Sequence, residues 1–187
     1  NILATDPDVA RIQVNDQNPF PYLVQLVERV GERTRRPMEI LVETRADWLL
    51  GAMPVMERAL QTAERNGHRV LLFLMGIESL SQKELDLYNK GVTVAQNERA
   101  VMECRRLRTQ YPKSYSDTRA AFGFVLYNPW TELRDLALNV ESAERIGIGE
   151  FRGQLTRSKL RLYPNTALFY KAQHEGLLAE RFPYEAM

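Results

Sequence analysis

The sequence has little cysteine, little histidine and no long apolar run, and these absences exclude several kinds of site. Cys104 is the one cysteine among 187 residues, so an internal disulfide or a cluster of thiolates is excluded. This cysteine usage is typical of a reducing compartment. The longest apolar runs, such as 70–75, are far shorter than the roughly 20 residues that span a bilayer, and the start lacks the order of a signal peptide. We therefore expect a cytoplasmic protein that does not enter the membrane.

The charge composition does not favour a polyanionic partner. The chain has 25 Lys and Arg against 24 Asp and Glu, so it has no net field that would draw it to nucleic acid or to an anionic membrane. The arginine clusters at 33–36 and 105–108 are typical of solvated helix surfaces, and they support nucleic-acid binding only weakly. His68 and His174 have no neighbouring metal-ligand residues, so we predict no metal site from histidine.

Apolar runs of strand length alternate with stretches of helical periodicity. The predicted strands begin near residues 9, 38, 69, 120 and 151, and residues 111–118 are expected to form a polar loop. This alternation is typical of α/β folds in which each strand lies parallel to the last. We predict a partial TIM-like parallel (βα) barrel of about five βα units. No Pro, Gly or Ser-rich linker divides the chain, so residues 1–187 are predicted to form a single domain.

Helix ends and helix faces are predicted from capping residues and apolar spacing. Ser81 with Glu84, and Thr93 with Gln96, have the residue types of a capping box, so a helix should begin at each. Asn66-Gly67 should end the helix that follows the second strand, and Thr131 should cap a later one. The residues expected to face the core are Leu23, Leu26, Val27 and Val30 in the first helix and Leu133, Leu136 and Val140 in the later one.

Polar residues follow each apolar run, at the end of the strand where parallel α/β folds bind their ligands. The five breaks are residues 15–18, 43–47, 76–79, 127–131 and 161–165. Carboxylates, an arginine, amides and hydroxyls are thus expected to converge at one edge of the fold. Such a mixture favours a zwitterionic or sugar-bearing ligand over an apolar one.

Four stretches, taken in order, carry a resemblance to a known family. They are Val14-Asn15-Asp16, then Gly76-Ile77-Glu78-Ser79 with Asn89-Lys90-Gly91, then 123–131 (GFVLYNPWT), then 160–166 (LRLYPNT). They resemble the second, fourth, fifth and sixth strand motifs of the radical S-adenosylmethionine superfamily, particularly its cobalamin-associated branch. The resemblance covers nearly the whole chain, and it rests on the order of the motifs. It implies five strands that correspond to the second to sixth strands of the family's barrel.

The resemblance also implies cofactors, a reaction and a set of site residues. Members of the family bind S-adenosylmethionine and a 4Fe-4S cluster, and they cleave the sulfonium reductively to a 5'-deoxyadenosyl radical. Cobalamin is a further cofactor implied for the intact protein. The implied cofactor-binding residues are Asn15 and Asp16 near the methionine amino group, Arg45 on the carboxylate, Glu78 and Ser79 near the ribose or methionine, and Leu126 and Asn128 beside the adenine.

The sequence departs from the family in lacking the three-cysteine CxxxCxxC loop. Thiolates are what iron–sulfur clusters require, and Cys104 alone cannot replace three of them. The expectation is therefore a truncated barrel, inactive by itself, whose cluster loop lies upstream in the intact enzyme. The alternative is a degenerate, non-catalytic barrel that acts as a binding or interaction module, because Tyr127 and Trp130 stand where many members have glycine.

Structural roles are the alternatives for individual residues. Asp16 can simply form a turn, and Ser79 can simply bond a nearby amide. Glu78 follows a very apolar strand and needs a partner, for which Arg45 is a candidate. The substrate is not predicted. The open edge of the first strand, Val9 to Asn15, predicts a homodimer or a strand swap.

Overall fold

The computed structural model describes residues 8–117, 122–147 and 160–178. The strands are β1 (Arg11–Val14), β2 (Glu39–Val42), β3 (Arg69–Leu72), β4 (Met75–Glu78), β5 (Tyr115–Asp117) and β6 (Phe122–Phe124). The helices are α1 (Leu23–Arg33), α2 (Ala46–Gly51), α3 (Met53–Asn66), α4 (Gln82–Leu87), α5 (Val94–Gln110), α6 (Leu133–Ile146) and α7 (Ala167–His174). None of these seven helices is both long enough and apolar enough to cross a bilayer.

The strands form two parallel sheets. One has the order β1-β2-β3-β5, so its neighbours follow the order of the chain, and the other pairs β4 with β6. The predicted α/β class with parallel strands is therefore confirmed. Over the described ranges both sheets are open, and a closed barrel is not confirmed. The predicted fifth strand, 151–162, lies outside the described residues up to 159, and residues 160–162 have no regular structure.

The predicted third strand, 69–75, is two strands. β3 ends at Leu72, Leu74 has φ of 49°, and β4 begins at Met75. β3 pairs with β2 and β5, whereas β4 pairs with β6 and forms an isolated bridge from Gly76 to Arg45. The break at Leu74 is therefore the point where the chain exchanges one set of partners for another.

Residues 115–117 form β5, so the prediction of a polar loop over 111–118 is wrong in its second half. Tyr115 is 1% exposed and places its ring in the core, while Ser116 and Asp117 extend the pairing with β3. β5 lies at the edge of its sheet, where polar residues are tolerated because one side of the strand stays accessible.

Apolar packing holds the first half of the chain together. The core-facing residues of the central strands, Ile40 and Val42 in β2 and Val70 and Leu72 in β3, are at most 1% exposed. α1 and α3 pack against each other beside them, and α1 buries Leu23, Val27 and Val30, which confirms its predicted face. Burial of each such side chain stabilises the fold by about 1.5–3 kcal/mol.

Two helix boundaries follow the predicted capping. α3 ends at Asn66 because Gly67 has φ of 71°, a conformation that favours glycine. α5 begins at Val94 after the N-cap residue Thr93, whose hydroxyl accepts from the amide of Gln96 at 3.2 Å, while the Gln96 side chain accepts from the Thr93 amide at 2.8 Å. Both predicted features are confirmed.

α6 forms where a helix was predicted, but the predictions of its N-cap residue and of its buried face are wrong. Glu132 rather than Thr131 is its N-cap residue, and the expected inward residues Leu133 and Val140 are 86% and 43% exposed. The buried face consists of Asp135, Asn139, Ser142, Ala143 and Ile146. The first turns of the helix place polar side chains inward because the space that they face contains hydrogen-bonding groups, while Ala143 and Ile146 join the apolar core.

Candidate functional site

Two cavities meet at the C-terminal end of β4. The first, which we call the strand-end cleft, has a volume of about 110 Å³ and is lined by Gln17, Glu43, Thr44, Arg45, Leu74, Gly76, Glu78 and Lys90. The second, the side groove, has a volume of about 390 Å³ and is lined by Glu78, Leu87, Tyr88, Asn89, Lys90, Leu160, Arg161, Tyr163 and 166–168. Glu78 and Lys90 line both, so this pair forms the wall between them.

Glu78 and Lys90 form an ion pair that depends on a glycine. Lys90 Nζ lies 3.1 Å from Glu78 Oε1, and the Lys90 and Glu78 side chains are 20% and 27% exposed. A Cβ atom on Gly76 would lie 2.8 Å from Glu78 Oε1 and 3.1 Å from Lys90 Nζ. Gly76 therefore provides the space in which the pair lies across the strand end.

The backbone beside the strand-end cleft is strained at two non-glycine residues. Leu74 and Glu78 have φ of 49° and 63°, values that cost a residue with a Cβ atom about 1–3 kcal/mol. The Glu78 conformation is fixed by a hydrogen bond of 2.7 Å from the Val125 amide to its carbonyl, beside an irregularity in the β4–β6 register. Such strain is typical of functional sites, so it marks the end of β4 as a candidate.

Arg45 faces the strand-end cleft but is engaged by its neighbours. Its Nε and Nη2 atoms donate to the Asp47 carboxylate at 3.0 and 3.1 Å, and Nη2 donates to the Lys90 carbonyl at 2.6 Å. Its guanidinium also lies 5.2 Å from the centre of the Trp48 ring. The proposed ion pair between Arg45 and Glu78 is wrong, because Asp47 and Lys90 are their respective partners.

Asn15 and Asp16 are exposed after β1 and line neither cavity. Asp16 accepts from the Asn18 amide at 2.9 Å and from the Tyr22 hydroxyl at 2.7 Å. Both hydrogen bonds lower the pKa of the Asp16 carboxyl, and the bond from the Asn18 amide has the larger effect. The geometry is the turn that was the structural alternative for Asp16.

Ser79 and Asn128 enter a buried polar cluster, which we call the Glu84 cluster. It consists of Ser79, Ser81, Glu84, Asn128, Thr131, Asp135 and Asn139. Its members come from the segment after β4, α4, the loop after β6, and α6. Ser81 precedes α4, but its hydroxyl donates to Asp135 at 2.7 Å, so the capping box predicted for Ser81 and Glu84 does not form.

The cluster alters two acid–base equilibria. Burial and the nearby Glu84 charge raise the pKa of Tyr88, whose ring lines the side groove and whose hydroxyl lies 2.6 Å from Asn128 Nδ2. Burial opposes ionisation of Asp135, but bonds from the Glu132 amide, Lys83 and Ser81 outweigh it and lower the pKa of the Asp135 carboxyl.

The structure thus separates the seven predicted site residues. Arg45 and Glu78 meet at the strand-end cleft, Ser79 and Asn128 lie in the Glu84 cluster, and Asn15, Asp16 and Leu126 line neither cavity. Sequence reasoning missed Lys90 and Tyr88 as site residues. Lys90 had a signal, because it stands between Asn89 and Gly91, residue types that favour the positive φ angles of 51° and 64° that they adopt.

A larger hollow of about 680 Å³ lies at the opposite end of the strands from the two cavities. It is lined by residues 8–11, 37–39, Gly67, Arg69 and Lys113, at the N-terminal ends of the strands. Its charged side chains include the Arg11–Glu39 ion pair, which is largely exposed. Because parallel α/β folds bind ligands at the C-terminal ends of their strands, we assign greater weight to the smaller cavities.

The described residues do not fit a metal cluster. In the ranges that the structure covers, no group of three or more His, Cys, Asp or Glu is arranged to hold a metal ion. Cys104 is buried in the core on α5. A 4Fe-4S cluster requires several thiolates, so these residues cannot hold one.

Comparison with known proteins shows a similarity of fold. No protein-family profile matches the sequence, and no curated protein sequence matches it. The fold is similar to that of the cobalamin-dependent S-adenosylmethionine radical enzyme OxsB, in its apo, selenomethionine-labelled form, with a TM-score of 0.54 and 14% sequence identity. The match covers 91% of this chain and 28% of that chain. The chain therefore shares the fold of a segment of a radical S-adenosylmethionine enzyme.

Proposed function

We propose that this chain is the S-adenosylmethionine-binding part of a radical S-adenosylmethionine enzyme. The observation that carries the proposal is the Glu78–Lys90 ion pair beside Arg45, at the C-terminal end of β4, in a fold similar to a segment of such an enzyme. In the intact protein the bound cofactor would supply a sulfonium for reductive cleavage to a 5'-deoxyadenosyl radical. The chain spans 28% of the neighbour's length, so this whole-protein activity is part of the proposal.

The chemistry of the strand-end cleft matches the amino acid end of S-adenosylmethionine. That end has one carboxylate and one ammonium group. Arg45 and Lys90 offer cations to the carboxylate, and Glu78 offers an anion to the ammonium. Each of these side chains already has a partner, so the ligand exchanges one ionic partner for another and leaves little charge uncompensated.

The side groove suits the nucleoside end. Leu87, Leu168, Tyr88 and Tyr163 give it apolar and aromatic walls, and Glu78 joins it to the strand-end cleft. Walls of this kind, with a few polar groups, are typical of small-molecule sites. Cofactor contacts at Asn15, Asp16, Ser79, Leu126 and Asn128 stay predictions, and the substrate is unassigned.

The other implied cofactors belong to this proposal only through the intact protein. The residues that the structure describes do not fit a 4Fe-4S cluster, and we derive no step through it. Cobalamin is proposed at the same level, since the similar structure is that of a cobalamin-dependent enzyme.

A non-catalytic binding or interaction module is the second candidate, and a specific observation favours it. Trp130 donates through Nε1 to Glu175 at 2.6 Å, and Lys171 lies 5.2 Å from its ring centre, so Trp130 joins the loop after β6 to the end of α7. Ser79 and Asn128 are likewise engaged internally. The partner of such a module would be a second copy of this chain, in the homodimer predicted through β1, which is an edge strand of its sheet.

A titration with S-adenosylmethionine, followed by NMR, tests the first candidate. Weak affinity is expected, with Kd on the order of 1 mM, because the residues that the structure describes do not fit the iron–sulfur cluster that would hold the amino acid end. Glu78→Gln and Lys90→Gln should each weaken binding about tenfold, since each leaves one charge without its partner. Glu39→Gln is the matched control, because it breaks the ion pair with Arg11 at the N-terminal ends of the strands, away from both cavities. Equal affinities in the three variants would contradict the proposal.

A further inference from the structure

Glu84 is a buried carboxylate surrounded by four neutral hydrogen-bond donors. It is 1% exposed. Its Oε1 accepts from Thr131 Oγ1 at 2.5 Å and from Asn128 Nδ2 at 3.1 Å. Its Oε2 accepts from Ser79 Oγ at 2.6 Å and from Asn139 Nδ2 at 3.2 Å. One side chain on α4 therefore joins the segment after β4, the loop after β6, and α6.

The direction of the two amide bonds is fixed by the backbone. Asn139 Oδ1 accepts from the Leu80 amide at 2.6 Å, so the Nδ2 group of Asn139 must face Glu84. Asn128 Oδ1 accepts from the Trp130 amide at 2.7 Å, so its Nδ2 group must also face Glu84. Position 84 therefore requires acceptor atoms on both sides, which a carboxylate provides and a neutral amide does not.

The Glu84 cluster touches the candidate site at two points. Ser79 directly follows Glu78, the residue whose strained backbone ends β4. Asn128 Nδ2 also lies 2.6 Å from the hydroxyl of Tyr88, whose ring lines the side groove. The cluster thus reaches the wall of the side groove from behind, through groups that do not line it.

We propose that Glu84 is a positioning residue whose carboxylate oxygens hold the 79–81 segment and the 128–131 loop together and thereby place Glu78 and Tyr88 at the side groove. The effect on a ligand rests on the proposed function, whereas the effect on the two segments does not.

Exchanging the hydrogen-bond polarity of one contact tests this role. Glu84→Gln places an NH2 group against the NH2 group of Asn128 or Asn139. Adding Asn139→Asp removes the conflict, because the introduced carboxylate can accept from the introduced amide with one oxygen and from the Leu80 amide with the other. Amide hydrogen exchange in residues 79–81 and 128–131 should be about tenfold faster in Glu84→Gln, and the double variant should recover most of the protection.

The same variants are titrated with S-adenosylhomocysteine, which has the adenosine and amino acid parts without the reactive sulfonium. Glu84→Gln should weaken its binding about tenfold, and the double variant should restore it. Val27→Ala is the control for a purely structural effect, because Val27 is fully buried on α1, a helix that contributes no residue to the Glu84 cluster. It should lower global stability without lowering affinity.

Three results would overturn the role: unchanged exchange in Glu84→Gln, no recovery in the double variant, or an equal loss of affinity in Val27→Ala at matched stability. If Glu84→Gln does not fold, a double variant that folds supports the role, and one that does not fold overturns it. Exchange that follows the expected pattern in a protein that binds no S-adenosylhomocysteine supports the positioning role and contradicts the proposed function.

Discussion

α1 and α6 are both amphipathic helices, yet their buried faces differ in kind. α1 turns Val27 and Val30 into an apolar core, whereas the first turns of α6 place Asp135 and Asn139 inward and leave Leu133 86% exposed. The difference arises from what each helix meets, since α1 packs against α3 and α6 meets Glu84. Apolar spacing therefore identifies the buried face of a helix only where the facing surface is itself apolar.

The apolar core around α1 and the Glu84 cluster should respond differently to substitution. Apolar burial is additive and non-directional, so the apolar core should tolerate exchanges that conserve volume. A buried hydrogen-bond network must be complete, because each donor or acceptor left without a partner costs about 1–3 kcal/mol. The Glu84 cluster should therefore be sensitive to polarity rather than to volume.

The largest effect is expected at Asn139. Asn139→Ala leaves the Leu80 amide and Glu84 Oε2 each without one bond, so the free energy of unfolding should fall by about 3 kcal/mol. Urea unfolding measures it, with Leu138→Ala, a 37% exposed neighbour on α6, as the control. Similar losses in the two variants would show that the cluster adds little stability.

A smaller effect is expected for a volume-conserving exchange in the apolar core around α1. Leu23 is fully buried on α1, and Leu23→Met should lower the free energy of unfolding by less than about 1.5 kcal/mol, because methionine fills the same space. The same unfolding experiment checks it. If the free energy of unfolding fell as much as in Asn139→Ala, the distinction between the apolar core and the Glu84 cluster would be removed.

Acid should lower the stability that the Glu84 cluster gives through Asp135. Its folded-state pKa lies below the ordinary value of 3.8, so its contribution is present above that value and is lost as the pH falls through the folded pKa. Stability below about pH 4 should therefore fall less steeply in Asp135→Asn than in the wild type. Melting temperatures against pH measure this, and Asp86→Asn controls for the loss of one exposed negative charge. Parallel curves for all three proteins would contradict it.

The smallest effect is expected on the outer face of α6. Leu133→Ser should change the free energy of unfolding by less than about 0.5 kcal/mol, because that side chain is already exposed. A loss above about 1 kcal/mol in thermal or urea unfolding would show that Leu133 is buried in solution and would break the comparison with α1.

Sequence reasoning succeeded where the determinants are local. The positions of β1 and β2, the buried face of α1 and the end of α3 follow from apolar runs, helical spacing and Gly67. It failed where the determinants are distant in sequence. The break at Leu74 reflects an exchange of strand partners, and the face of α6 is set by Glu84, which lies 55 residues before Asn139.

The candidate site divides in the same way. Parallel topology brings Arg45 and Glu78 together at the C-terminal ends of β2 and β4, so these two could be predicted. The side on which a loop residue points is decided by packing, and Ser79 and Asn128 turn inward to Glu84. Lys90 reaches Glu78 only because Gly76 leaves room, a relation that no local pattern reveals.

Mapping the S-adenosylmethionine titration onto the backbone amides by NMR tests the central claim most directly. The account predicts saturable shifts at Arg45, Gly76, Glu78 and Lys90, around the strand-end cleft. Saturable shifts confined to the hollow at the opposite end of the strands, around Arg11, Glu39 and Arg69, would contradict it, as would the absence of any saturable shift at millimolar ligand.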